Sequence, residues 1–287
     1  MKIVDVGLFG TQHITKNEEI RALLDDNREI LLNGEANNGI CYDGIIDESA
    51  YLKSRVKVMV LLKETNGNDK KGEHREIQKD WDYLYWLKHQ QVDNEPQKDI
   101  DVKGNTIVDK NVFYASTFKK LCHWLTILFE ISENENVSAE QFFVDGKIDI
   151  PTVRKSLNKV ALVNLKKSWG AEKTDFNKLY DYALDEKIKP IILKEIEIAS
   201  PEIVLCCSPD VYYIAAAMYG IGSKEHIREE SKVFKNKTNE MFVKDNTIYV
   251  SFYHPQGYSH SENEFAEYAI EVFNWVFEHK SNIEKSK

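Results

Sequence analysis

Cysteine, proline and glycine are all scarce: four, six and thirteen in 287 residues. So few prolines and glycines exclude a collagen-like or low-complexity chain. Cys41, Cys122, Cys206 and Cys207 contain no C-x-x-C pair, the spacing of a zinc or iron–sulfur clamp, so neither a structural metal nor a cofactor is expected. Cys206 and Cys207 are adjacent in an apolar run. On a strand they would face opposite ways, as reduced, buried thiols. No apolar run approaches the roughly 20 residues of a membrane span. The opening MKIVDVGLFGTQH has no small-residue cleavage site, so a cytoplasmic protein is expected. A basic excess is also missing: 38 Lys and Arg stand against 47 Asp and Glu, a net charge of −9. Such a field repels polyanions, so contact with DNA would need a local groove. Oligomeric state is not readable.

What is present is a foldable mixture, 42% hydrophobic and 30% charged. The expectation is one α/β domain over 1–280, with an insertion at about 66–112 and a frayed tail at 281–287. Four short runs read as buried parallel strands, because they are β-branched and apolar without alternation. They are VKVMVLL at 56–62, VALVNL at 160–165, EIVLCC at 202–207, and 247–252, the last entered by a hairpin through Asp245-Asn246. Helical spacing marks 17–32, a short stretch from Trp81 with Leu84, Tyr85 and Leu87, and 113–130. It also marks 174–200, interrupted at Pro190, and 210–220, ending in Gly220. Ser261 and Glu264 form a capping box ahead of a closing helix. Strands alternating with helices imply a three-layer α/β/α domain with a mostly parallel four-stranded central sheet.

In such sheets ligands bind beyond the carboxyl ends of the strands. There the sequence places Lys63-Glu64-Thr65-Asn66-Gly67, Asn164 with Lys166 and Lys167, Ser208, and His254-Pro255-Gln256-Gly257-Tyr258-Ser259. Lys166, Lys167 and Lys173 beside Trp169 make the best basic-aromatic patch, although a solvated loop explains them nearly as well. Trp81, Tyr85, Trp124 and His123 read more simply as packed side chains.

These four stretches, in this order over about residues 56 to 260, resemble the motifs of the uracil-DNA glycosylase superfamily. In that family an acidic or amide motif follows the first strand, an Asn ends the second, a Pro leads the third, and His-Pro-Ser follows the last. The resemblance implies hydrolysis of the N-glycosidic bond of a flipped uracil or damaged base in DNA. Glu64 and His254 would be catalytic: Glu64 orienting water or stabilising the cationic sugar, His254 donating to the pyrimidine O2. Asn164, Asn66 and Ser208 would line the base site, Asn164 matching the O4 and N3–H of uracil. Tyr258, Ser259, Lys63 and Lys166 would contact DNA, with Tyr258 as a wedge and Ser259 on a phosphate. The chain departs from the family where Lys63 replaces a Gly, where Thr65-Asn66 replaces Ala-Pro or Asp-Pro, and where Gln256 replaces the Ser of His-Pro-Ser. The alternatives are a relative that binds nucleic acid or nucleotides without catalysis, and an unrelated α/β enzyme acting on a small nucleotide.

Overall fold

The computed structural model describes residues 14–34, 39–64, 80–82, 84, 98–100, 106–108, 116–134, 136–144, 147–148, 153–168, 174–255 and 261–285. Its centre is a sheet whose strands are β1 (Gly44–Ile45), β2 (Val58–Leu62), β3 (Val160–Asn164), β4 (Ile203–Cys207), β5 (Ile227–Glu230), β6 (Thr238–Lys244) and β7 (Thr247–Phe252). Across the sheet they run β5-β6-β7-β4-β2-β3-β1. The four apolar runs read from the sequence are β2, β3, β4 and β7, and they form one parallel block, with Val60 opposite both Leu162 and Leu205, and Leu205 opposite Val250.

The expected four-stranded sheet is corrected to a mixed sheet of seven strands. β1 adds antiparallel to β3 at one side, and the β5–β6 hairpin adds antiparallel to β7 at the other. Short length and polarity hide these strands: β1 is two residues, and β5 is Ile-Arg-Glu-Glu with its last three residues exposed. The hairpin at Asp245-Asn246 has both residues at positive φ, 50° and 67°, the type I′ pair that suits the twist of two-residue turns.

Alternation along the strands divides the core in two. Val58, Val60, Leu162, Leu205, Cys207, Val250 and Phe252 face helices α2 (Ser116–Glu133) and α6 (Glu262–Lys285). Met59, Leu61, Val163, Val204, Cys206 and Tyr249 face the opposite layer. That layer comprises α1 (Lys16–Asp26), α3 (Phe176–Leu184), α4 (Lys189–Ala199) and α5 (Pro209–Met218). Helices therefore cover both faces, and this explains why the central strands lack polar alternation. Burial of a Val or Leu at such a position contributes about 1.5–3 kcal/mol. The four cysteines are buried free thiols, with Cys206 and Cys207 in opposite layers.

Local chemistry sets the helix ends. Thr15 and Glu18 form a capping box on α1, and Ser261 and Glu264 exchange the same two bonds ahead of α6. Pro190 starts α4 rather than kinking a longer helix. Three readings are adjusted. The helix read over 17–32 breaks at Asn27, whose side chain donates back to the Leu23 carbonyl. Trp81–Asp82 pairs as a short parallel strand with Cys41–Tyr42 instead of opening a helix. The expected frayed tail continues α6 to Lys285, because Ile283 packs on the core and Lys280 pairs with Glu202 and Glu284. Most of the insertion at 66–112 lies outside the described residues. Among those described, no helix is long and apolar enough to cross a membrane.

Candidate functional site

After β2 the chain enters β3 on one side of it, and after β3 it enters β4 on the other. This reversal makes a switch point beyond the carboxyl ends of β2 and β4, where α/β sheets form their ligand crevice. Because β7, β4, β2 and β3 are adjacent and parallel, the residues that follow them share one edge. In spatial order these are His254, then Ser208, then Lys63 and Glu64, then Asn164 and Lys166. Asn66, Tyr258 and Ser259 lie outside the described residues.

The loops after β2 and β3 leave the sheet side by side, since Leu165 N donates to Leu62 O and Lys166 N to Lys63 O, both at 2.9 Å. That pairing brings Lys166 Nζ to 4.0 Å from Glu64 Oε2, with the Glu64 side chain only 8% exposed. A carboxylate and an ammonium thus stand together at the centre of the edge. Lys63 Nζ lies 5.9 Å from the centroid of the Phe176 ring, at the outer limit of a cation–π contact.

At the β7 end, Tyr253 is wedged against Phe234, Phe265 and Tyr268, with Lys237 Nζ 4.4 Å over its ring. His254 follows it, half-buried and held extended by Pro255. Burial pushes its imidazole down to about 4, and the nearby Lys63 ammonium adds to the effect. The ring is therefore neutral at pH 7 and carries one donor and one acceptor nitrogen.

Ser208 joins β4 to α5 at φ 151°, ψ 157°, a region occupied almost only by glycine. Its Oγ accepts from Val211 N at 3.2 Å, so the hydroxyl oxygen caps α5.

Asn164, at the end of β3, is 2% exposed. Asp43 Oδ2 accepts from its backbone N at 2.6 Å and from its Nδ2 at 3.0 Å. The reason is local. β1 is so short that its last pairing is Gly44 with Leu162, and the Asp43 side chain supplies the partner that a longer strand would. Gly44, at φ 137°, lets α1 approach within 3.3–3.5 Å of where a Cβ would stand, while Asn17 exchanges two hydrogen bonds with Ile45. Asp43 is thereby fixed in place.

Asp43 Oδ1 accepts from Lys167 Nζ at 2.7 Å, and the same ammonium lies 2.6 Å from Glu195 Oε2, all three side chains at 0% exposure. Lys167 is thus corrected from a candidate in a basic surface patch to a buried ion; Trp169 and Lys173 lie outside the described residues. One cation faces two carboxylates in a dry site. Burial pushes the Glu195 carboxyl up, the Lys167 ammonium opposes that rise, and Asp43 adds to it. The Lys167 ammonium is held charged by Asp43 and Glu195 against the burial that opposes it.

Asp43 and Glu195 are absent from the residues that strand-end reasoning selects. Glu195 left a trace, since it interrupts the apolar stripe of Ile191, Ile192, Ile196 and Ala199 on α4. Asp43 left none beyond an acidic residue before a glycine. His123, read as packed, is 1% exposed against Phe142 and Phe143, and burial holds it near 4.

A groove of about 570 Å³ lies at the opposite edge, lined in part by Lys194, Glu197, Tyr219, Thr247 and Tyr249. Its polar groups satisfy one another: Tyr219 with Tyr249, Lys194 with Glu197, Thr247 with the Pro201 carbonyl. Among the described residues no cluster of three or more His, Cys, Asp or Glu has the arrangement of a metal site. The class defined by the fold is an α/β protein with a mixed seven-stranded sheet covered by helices on both faces. Compared with family models, curated proteins and solved structures, the chain matches none.

Proposed function

We propose that this edge receives a nucleobase and that the protein hydrolyses the N-glycosidic bond of a flipped uracil or damaged base in DNA. The observation that supports this most is the line of His254, Ser208, Lys63, Glu64, Asn164 and Lys166 along four adjacent strand ends. It joins a neutral imidazole donor, an amide and a carboxylate–ammonium pair.

In this reading the C1′–N bond breaks with its electron pair leaving on the base. Water supplies hydroxide to C1′ and a proton to the base. Glu64 sits where a carboxylate orients that water or offsets the positive charge on the sugar. His254, uncharged at pH 7, donates a hydrogen bond to the pyrimidine oxygen as negative charge grows there. Lys63 and Lys166 supply positive charge beside the crevice for phosphates, locally opposing the net −9. Asn66, Tyr258 and Ser259 complete the proposed base and DNA contacts.

The test is a single-turnover excision assay on a uracil-containing oligonucleotide, both single-stranded and as a G·U duplex. Abasic product is expected from the native protein, with His254→Ala lowering its rate by the roughly 10²-fold of losing one charge-stabilising donor. Failure to form product from any uracil or damaged-base substrate overturns hydrolysis. Base-dependent binding without product would leave a non-catalytic nucleobase site, a reading favoured by the Lys166 ammonium 4.0 Å from the Glu64 carboxylate.

A further inference from the structure

We propose that Asp43 is a positioning residue that sets base specificity: it pins the Asn164 amide in one orientation, so that the pocket accepts uracil and rejects cytosine. The inference rests on the nucleobase reading above and goes one residue deeper, to a side chain that need not touch the base.

An Asn side chain carries an acceptor oxygen and a donor NH₂ of nearly the same shape. Uracil presents a carbonyl acceptor at C4 and a donor at N3, whereas cytosine presents a donor at C4 and an acceptor at N3. Rotating the amide by half a turn exchanges Oδ1 and Nδ2. A freely rotating amide therefore satisfies either base, and a pinned one satisfies only one. Discrimination requires something that forbids the rotation.

Asp43 forbids it by charge. Its Oδ2 accepts from Asn164 Nδ2 at 3.0 Å, and an ionised carboxylate has only acceptor sites. The rotated amide would press Oδ1 against that oxygen with no proton between them. The repulsion acts where Asp43 and Asn164 are each 2% exposed, so little water screens it. Oδ2 also holds the Asn164 backbone N–H at 2.6 Å, which ties the peptide and the amide to one anchor. A strand cap alone would need only the backbone contact; the second bond, to the side chain, is the one that selects orientation.

The rest of the cluster keeps Asp43 an acceptor. Lys167 Nζ, 2.7 Å from Asp43 Oδ1, places a donor and a positive charge against the carboxylate. Glu195, 2.6 Å from the same ammonium, closes the far side of Lys167. Buried ion clusters are costly to assemble, and replacing them by apolar residues is often neutral or stabilising. A role in fixing Asn164 accounts for this cluster standing at the end of β3, beside the crevice, and not elsewhere in the core.

The experiment measures equilibrium binding of native protein and Asp43→Asn to single-stranded oligonucleotides. Each carries one central 2′-fluoro-2′-deoxyuridine or 2′-fluoro-2′-deoxycytidine, which resist cleavage. Native protein is expected to favour the uracil strand by roughly tenfold or more, the discrimination of a good paired contact. In Asp43→Asn the neutral amide tolerates both orientations of Asn164, and the preference is expected to fall to within about threefold of unity, with the cytosine strand gaining affinity. A gain for cytosine is the readout that general loosening of the pocket does not give. Should Asp43→Asn fail to fold, Asp43→Asn/Lys167→Met, which removes the ammonium together with the carboxylate, carries the same measurement. An unchanged preference in the variants overturns the role of Asp43. Native protein that binds both strands equally, without regard to the base, overturns the nucleobase reading itself.

Discussion

The two ends of the proposed crevice are built on opposite principles. At the β3 end, Asp43, Asn164, Lys167 and Glu195 form a dry ionic cluster in which each side chain has a charged or hydrogen-bonded neighbour at 2.6–3.0 Å. At the β7 end, His254 is half-buried and is kept neutral by burial and by the nearby Lys63 ammonium. Charge is buried at one end to hold a geometry, and charge is removed at the other to leave a hydrogen-bond donor. The lesson is that burial has no single electrostatic outcome. Against opposite charges it fixes ions in place; on a histidine beside the Lys63 ammonium it favours the neutral ring.

Substitutions should separate the ends by what they damage. The largest effect on stability is expected from Lys167→Met, which strands Asp43 in the core as an unpaired charge. Its cost should be about 3–5 kcal/mol, read from urea unfolding. A cost under about 1 kcal/mol would mean that the cluster is hydrated and the contrast is false. His254→Ala should do the reverse, leaving the urea midpoint nearly unchanged while excision drops by roughly 10²-fold. An equal loss of stability and rate would place His254 in the core and not in the site.

Acid should act through the histidines. An unfolded His binds a proton below about 6.5, whereas His254 and His123 in the fold stay neutral until about 4. Between those values the unfolded state holds more protons, so stability should decline as pH falls from 6.5 towards 4, and their contribution should level off below that. His123→Phe should flatten part of the decline. A variant with the native slope would exclude His123 as a source.

The smallest effect belongs to Glu195→Gln. Below about pH 4.5 the folded and unfolded carboxyls both hold their protons, so there the neutral amide should change stability by no more than about 1 kcal/mol. The sign with pH is specific. The unfolded Glu ionises near 4.5 while the folded one does so later, since its pKa is raised. Native protein therefore loses stability as pH rises from 4.5 towards the folded value and levels off above it, and Glu195→Gln should gain on it across that window. A gap between the two proteins that stays constant with pH would show Glu195 ionised throughout.

The same contrast governs what could be read from the chain. β2, β3, β4 and β7 were legible because a strand covered on both faces must be continuously apolar, and those four runs are. β1 and β5 were not, because edge strands lie beside the core and keep polar or minimal sequences. Among the candidates, those at strand ends could be located from the strands alone: Glu64, Lys63, Asn164, Lys166, Ser208 and His254 stand at or just after the ends of β2, β3, β4 and β7. The supporting cluster could not. Asp43 and Lys167 are 124 positions apart, and nothing in either neighbourhood announces a buried pair. Lys167 was misread for the same reason, since beside Lys166 it has the look of a solvated patch. Only the sheet order, which brings the residue before β1 and the loops after β2 and β3 together, reveals that one lysine points into the core and its neighbour stands by Glu64.

The most direct test of the central claim, that this edge is a nucleobase site, follows the Asn164 side-chain amide and the His254 imidazole by ¹⁵N NMR. The probe is the single-stranded oligonucleotide with 2′-fluoro-2′-deoxyuridine, with the 2′-fluoro-2′-deoxycytidine strand as reference. Both signals are expected to shift with uracil at saturating strand, and to shift far less with cytosine. Signals that move identically with both strands, or not at all while others report binding elsewhere, would contradict the account.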